Sequence, residues 1–342
     1  MCVPRARLAV AIGIFLPLTA ILVENVFFSD SPIVLTPHQI KAYERDGFVV
    51  LERVVPLRMV SSLLDELHAV QGAAEANGEA DGSSWDEETS GADPVQCTFV
   101  LAHDEEGNLL RPASVHKAQG IGLNSSGVLK LLRYPPIASA AAMLVRRGLP
   151  PAERGSSKER LEVDAFGTKY FPVRAGTPGS VSWHDDNYYF GTTRSHTISS
   201  VTYLRDVDAR SACLRVLPGS HRDPEVGSDR ARWYKALPQQ HGEYVPDELV
   251  THGELANAED GAPRSPIDVP LSAGSVVLFD ANLLHAVHPN REVDAGGLPM
   301  SERVAFHYIP GDLDTGFRDT SFARGRFADR HLAMNADGTI PS

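Results

Sequence analysis

The sequence predicts an α+β protein that is mainly β: a helical N-terminal third covers a β-rich body built as a barrel or sandwich. Two observations carry this. Apolar residues recur at helical spacing over about 57–76, at Val60, Leu63, Leu64, Leu67 and Val70. From Leu161 onward the pattern changes to short β-rich runs, VDAFGTKYFPV, SVSWHDD, HTISSVTYLRDV, ACLRVLPGS, GSVVLFDA and RVAFHYIPG, separated by turn residues. With 342 residues, 42% of them hydrophobic, the chain can bury a substantial core. No internal repeat is visible.

Taken in order, the chain opens on Arg5 and Arg7 followed by sixteen uncharged, mostly apolar residues, Leu8 to Val23. This is the layout of a basic n-region and an apolar h-region. A full membrane span needs about 20 apolar residues, which the run reaches only if Val26 to Phe28 are drawn in past Glu24. Leu18-Thr19-Ala20 is a poor cleavage site. Residues 1–30 are therefore expected to be a signal peptide or signal anchor. Residues 8–28 would then allow membrane association, and residues 1–28 would place the chain in the secretory pathway or on a membrane. A helix packed on the domain, in an organelle or the cytoplasm, is the alternative. The sequon Asn124-Ser125-Ser126 suits a secretory route without deciding it.

Residues 31–342 read as one domain with its core at about 161–310. In LTPHQIKAYERDGFVVLERVV, Thr36 can cap a helix, Pro37 suits its first turn and Gly47 stops it. Phe48 to Leu51 follow as a short strand, and the second helix runs from about Leu57 to Ala76. Residues 77–95 are rich in Gly, Ser, Asp and Glu and read as an acidic loop. Gln96 to Leu101 read as a strand. Residues 114–147 are helical in parts, with breaks near Asn124 to Gly127 and at Pro135-Pro136. Inside the β body one long polar excursion runs from Asp223 to about Ser265.

Composition excludes some functions. A net charge of -12 argues against nucleic acid as a partner, because neutralising phosphates takes a basic surface. Three cysteines, Cys2, Cys97 and Cys213, without CxxC spacing point to neither a disulfide framework nor a thiolate zinc site.

The chemistry starts at SWHDDNYYF, Ser182 to Phe190. On a strand, His184 and Asp186 would project from one face and Asp185 from the other. An imidazole and a carboxylate so placed can chelate one metal ion, and a third ligand from elsewhere would complete a two-His, one-carboxylate facial triad. GSVVLFDANLLHAVHPNRE supplies two candidates, His285 and His288, just past an apolar strand.

Several segments together resemble the phytanoyl-CoA dioxygenase family of non-haem Fe(II)/2-oxoglutarate oxygenases. They are LTPHQIKAYERDGFVVL, SVSWHDDNYYF, ACLRVLPGSHR, AGSVVLFDANLLHAVHPN and RVAFHYIPG, in the expected order over about residues 35–310. The resemblance implies a double-stranded β-helix, or jelly roll, flanked by helices. It implies Fe(II) held by His184, Asp186 and a late histidine, with 2-oxoglutarate and O2 as cosubstrates. The family's late motif places an Asn five positions after the histidine, which selects His285 with Asn290 over His288. It also implies an arginine for the distal carboxylate of 2-oxoglutarate at the start of the last core strand, where Arg303 stands; Arg291, in a turn, is the rival. Lys117 in SVHKAQG matches a family lysine that approaches the cosubstrate in some members.

Two positions depart from the family pattern: Asp185 replaces a frequent Gln, and Asp280 replaces a frequent His. Related halogenases lack the carboxylate ligand, so Asp186 points to hydroxylation of a C–H bond in a small organic substrate, with succinate and CO2 as co-products. The other histidines, His307 among them, are expected in ordinary core or surface roles, and His221 in a turn that supports the barrel. Two rivals remain at this stage. One is a non-catalytic jelly roll that binds a metal or small molecule. The other is a zinc hydrolase, which would need a general base that only Asp185 could supply.

Overall fold

Two antiparallel sheets set face to face make the body of the protein, and helices cover the outer face of the larger one. The computed structural model describes residues 31–77, 97–101, 115–148, 162–174, 181–190, 197–223, 231–236, 243–258, 261–291, 300–311, 329–335 and 338–341. The expected signal or anchor segment, 1–30, and all but the first residue of the acidic loop lie outside the described residues. Among the described residues no single helix is long and apolar enough to cross a membrane.

The N-terminal elements form where local chemistry predicts them. Helix α1, Pro37–Asp46, starts on a capping box: Thr36 Oγ1 accepts from Gln39 N, and Gln39 Oε1 accepts from Thr36 N. It ends at Gly47, whose φ of 88° is open to glycine at little cost. Strand β1, Phe48–Leu51, follows, and helix α2 spans Leu57–Asn77. Strand β2 covers Thr98–Leu101.

The expected helical stretch at 114–147 is corrected at its front. Val115–Gln119 is a strand, β3, which pairs with β2. Its apolar residues are too few to show a period, and sheet pairing decided its state. Helices α3, Ser126–Leu132, and α4, Pro135–Gly148, come next. Ser125 caps α3 by accepting from Val128 N, and the proline pair opens α4, where a missing N–H costs nothing.

The β body comprises β4 (Val163–Arg174), β5 (Val181–His184), β6 (Ile198–Tyr203) and β7 (Leu214–Val216). It continues with β8 (Lys235–Ala236), β9 (Glu243–Tyr244), β10 (Ile267–Val269) and β11 (Val276–Asp280). It ends with β12 (His285–Val287), β13 (Met300–Pro310) and β14 (His331–Met334). Short helices α5, Asp186–Phe190, and α6, Asp247–Thr251, interrupt it. The described part of the polar excursion at 223–265 holds β8, β9 and α6.

The larger sheet runs β1-β11-β6-β13-β4-β3-β2, with β14 also on β4, and the smaller runs β10-β7-β12-β5. Alternation along the strands gives the larger sheet two faces. Ile198, Leu278, Val304, Phe306 and Tyr308 face out and pack with α2, α3 and α4. Val201, Tyr203, Val277, Phe279 and Ala305 face in, against Leu214, Val216, Val269 and Val287 of the smaller sheet. This is the expected jelly roll.

The outward face also holds a buried carboxylate. Glu302, fully enclosed, accepts from Tyr170 Oη at 2.6 Å and Arg205 Nε at 2.7 Å, and meets His68 Nε2 at 2.6 Å. Three polar partners satisfy a charge that would otherwise be costly to bury, and they tie α2 to β4 and β13.

Candidate metal centre

Strand β5 does not continue through the HDD motif. It ends at His184, the chain turns at Asp185, and Asp186 is the first residue of α5. The two candidate ligands therefore converge through a strand-to-helix turn, and strand alternation is not the cause. Asp185 makes that turn. Its Oδ1 accepts from Tyr188 N at 2.7 Å, in the manner of a helix cap, and its Oδ2 accepts from Tyr234 Oη at 2.8 Å. Asp185 is wholly buried in this role and turned away from the other acid, so the hydrolase rival has no general base there.

Behind the turn, Asn187 N donates to Ala281 O, and Asn187 Nδ2 donates to Asn282 Oδ1. Asn282 in turn donates from N and Nδ2 to Asp280 Oδ1. Asp280, the second departure from the family pattern, thus braces α5 against the loop after β11.

His285 begins β12 and lies directly opposite His184 on β5. Their ring centroids are 4.1 Å apart. In both rings Nδ1 donates to the carbonyl two residues back, Ser182 O and Leu283 O, each at 2.9 Å. That fixes the tautomer and leaves both Nε2 lone pairs free. Each Nε2 is 3.9 Å from an oxygen of Asp186, and the three groups offer ligand atoms within 4.8 Å of one another. Two imidazoles and one carboxylate with open positions suit a ferrous ion.

Electrostatics keep the ligands in their binding forms. Burial, followed by the nearby His285, pushes the His184 imidazolium down to about 3. Burial alone would raise Asp186, but His307, His285, Lys169 and His184 together bring it well below the usual carboxylate range. His288, the other candidate, turns aside to Asp268 Oδ1 at 2.8 Å. Asn290 braces the barrel by donating to Val173 O at 2.9 Å.

Arg303 sits on the inward face of β13, only 3% exposed, with its guanidinium carbon 4.5 Å over the Phe171 ring. Its Nη1 is buried with no hydrogen-bond partner, and no carboxylate among the described residues pairs with it. Burial holds its pKa below the ordinary arginine value, with Tyr203 opposing. A buried, unpaired guanidinium is costly unless an anion arrives. Arg291, by contrast, is exposed. Lys117 is half-buried on β3, on the same face as Gln119 and, across β4, Lys169.

Lys169, Ser199 and His307 adjoin Asp186 and were not expected as site residues from sequence. His307 lies on β13 with its Nδ1 3.8 Å from Asp186 Oδ2. The available signal was strand alternation: Arg303, Ala305 and His307 share a face.

A family model for phytanoyl-CoA dioxygenase matches residues 43–292. Ectoine dioxygenase of Bordetella parapertussis is 24% identical over 262 residues, which are 75% of this chain and 71% of that protein. Among solved structures, EctD from S. alaskensis with bound Fe aligns with a TM-score of 0.52 at 18% identity, over 82% of this chain and 78% of that one. The non-heme alpha ketoglutarate dependent carbocyclase SnoK from nogalamycin biosynthesis aligns with a TM-score of 0.50 at 17% identity, over 83% and 91%. At these identities the structural likeness shows the shared fold.

Proposed function

The chain belongs to the phytanoyl-CoA dioxygenase family and is an iron- and 2-oxoglutarate-dependent oxygenase, and from that premise we propose that it hydroxylates a C–H bond of a small organic substrate. His184, Asp186 and His285 hold the iron. Arg303 grips the distal carboxylate of 2-oxoglutarate with the bidentate geometry that only an arginine offers. The observation that carries this reading is the pairing of a complete triad with a buried guanidinium whose Nη1 has no hydrogen-bond partner, on the inward face of the larger sheet. A binding module has no use for both.

Bound iron supplies the oxidative chemistry, in which 2-oxoglutarate leaves as succinate and CO2. The protein's part is to position and enclose. Asp186 fills the third protein position on the metal, which supports hydroxylation over halogenation. His307 is roughly 13 Å of strand from Arg303, at about 3.3 Å per residue. That distance lets an arginine side chain and a five-carbon diacid span the gap to the metal.

Gln119, on the face of β3 beside Lys169, is the polar group we assign to the substrate. It is 7% exposed, and neither amide atom has a hydrogen-bond partner. Directly opposite Lys169 in the strand register, its amide offers two N–H donors and an acceptor oxygen to a polar substrate. A small polar substrate is in keeping with the ectoine dioxygenase relative.

Anaerobic addition of Fe(II) and 2-oxoglutarate tests the reading. The expected result is a visible charge-transfer band, followed in air by slow succinate formation without added substrate. A protein that binds iron and gives neither would leave only the binding-module reading.

A further inference from the structure

We propose that Lys169, His307 and Ser199 form a polarised hydrogen-bonded chain that positions Asp186 as a one-oxygen metal ligand. This rests on the reading that Asp186 holds the iron. Ser199 Oγ donates to Asp186 Oδ2 at 2.6 Å. His307 Nδ1 lies 3.0 Å from the same hydroxyl, and Lys169 Nζ lies 3.2 Å from His307 Nε2. The ends fix the direction of every bond. A carboxylate only accepts, and an ammonium only donates. Ser199 has one proton, spent on Asp186, so His307 Nδ1 donates to Ser199 and His307 Nε2 accepts from Lys169.

The fold goes to some length to build this chain. A lysine 93% buried is rare without a structural reason, and here the Phe190 ring centroid lies 6.0 Å from Nζ. Ser199 and His307 face each other in the β6–β13 register. Lys169 is brought alongside by a bulge. Between Phe166 and Lys169, β4 carries one residue more than the facing stretch of β13, and Gly167 takes it up at φ 63°. Asp329 clamps the bulge by accepting from Thr168 N and Thr168 Oγ1. Phe166 and Phe190 then pack on the His307 ring, with centroids 5.3 and 4.6 Å away, and fix its plane.

The consequence falls on Asp186. One oxygen is held by the serine, which disfavours the carboxylate's swing to take two metal positions and so favours leaving open those needed by 2-oxoglutarate. The ammonium at the far end polarises each bond toward the carboxylate. Partners of this kind set metal affinity about 10- to 100-fold.

The test is Co(II) binding by calorimetry in the full chain, with thermal unfolding of each variant as a folding check. The visible band of the Fe(II)–2-oxoglutarate complex is recorded beside it. Ser199→Ala and His307→Phe should weaken Co(II) at least tenfold and shift the band. His307→Asn, whose amide nitrogen can stand where Nδ1 stood, should recover most of the loss. Ser200→Ala, on the opposite face of β6, should change neither reading. Should His307→Phe not fold, Ser199→Ala and His307→Asn carry the comparison. Wild-type affinity and an unmoved band in Ser199→Ala overturn the inference. A wild-type chain that takes up no Co(II) overturns the metal reading itself, and this inference with it.

Discussion

His184 and His285 stand directly opposite each other across the β5–β12 pair, their rings 4.1 Å apart and each Nδ1 tied to its own backbone. Two rings so constrained before any metal arrives have little left to lose on binding it. His285→Ala and Asp186→Ala should each lower Co(II) or Fe(II) affinity at least a hundredfold with the fold intact. Their double variant should lose little more, since residues acting as one unit are not additive. Calorimetric titration reads this directly, and retained affinity in either single variant would refute the ligand assignment.

Arg303 offers a sharper separation. Arg303→Met removes a charge-assisted pair worth about 1.5–3 kcal/mol, which raises the Kd for 2-oxoglutarate roughly 10- to 150-fold. Iron affinity should not move. Because Arg303 is a buried cation that no carboxylate among the described residues pairs, the same variant should melt no lower than wild type, and removal of the charge can raise the melting temperature. Arg303→Lys should fall between, having lost the fork. Arg291→Met, in an exposed turn, should match wild type throughout.

The His184 shift makes a prediction about pH. With its folded value pushed down to about 3 and its unfolded value near 6.5, the unfolded chain takes up a proton that the folded chain refuses. The metal-free protein therefore loses stability as pH falls from 6.5 toward 3, by about 2 kcal/mol from this residue at pH 5. His184→Asn should remove that component. Urea unfolding at pH 7.5 and pH 5.0, with a chelator present, should show a smaller difference between the two pH values for the variant. An equal difference would mean that the ring titrates normally in the fold.

On the outer face, Glu302→Ala removes the acceptor shared by Tyr170, His68 and Arg205 and leaves the buried Tyr170 hydroxyl without it, while the exposed His68 and Arg205 turn to water. The expected cost is about 1–3 kcal/mol in urea unfolding, set by the orphaned tyrosine hydroxyl. A loss under 1 kcal/mol would show that the network is incidental.

Much of this was written in local sequence. Thr36, Pro37 and Gly47 mark both ends of α1, because capping and left-handed backbone are satisfied within a few residues. The strands of the β body announced themselves as short β-rich runs between turn residues, and the order of their motifs carried the resemblance to the family. His184, Asp186 and His285 could be named because the first two lie in one short motif and the third follows a recognisable strand.

Other features depended on partners distant in the chain. Val115–Gln119 is a strand because β2 and β4 flank it, and its five residues hold no period of their own. Asp186 meets His184 through a turn that Asp185 caps with help from Tyr234, 49 residues away. In sequence, only its alternation with Arg303 and Ala305 set His307 apart from an ordinary core histidine. It joins the site because β13 pairs with β6 on one side and β4 on the other, which brings Ser199 and Lys169 to its two nitrogens. Sequence alone determined the elements and the metal-binding residue types, since propensity, capping and motif spacing act over a few positions. Only the tertiary structure decided what surrounds them, since hydrogen bonds between strands far apart in the chain exist only once the sheets have closed.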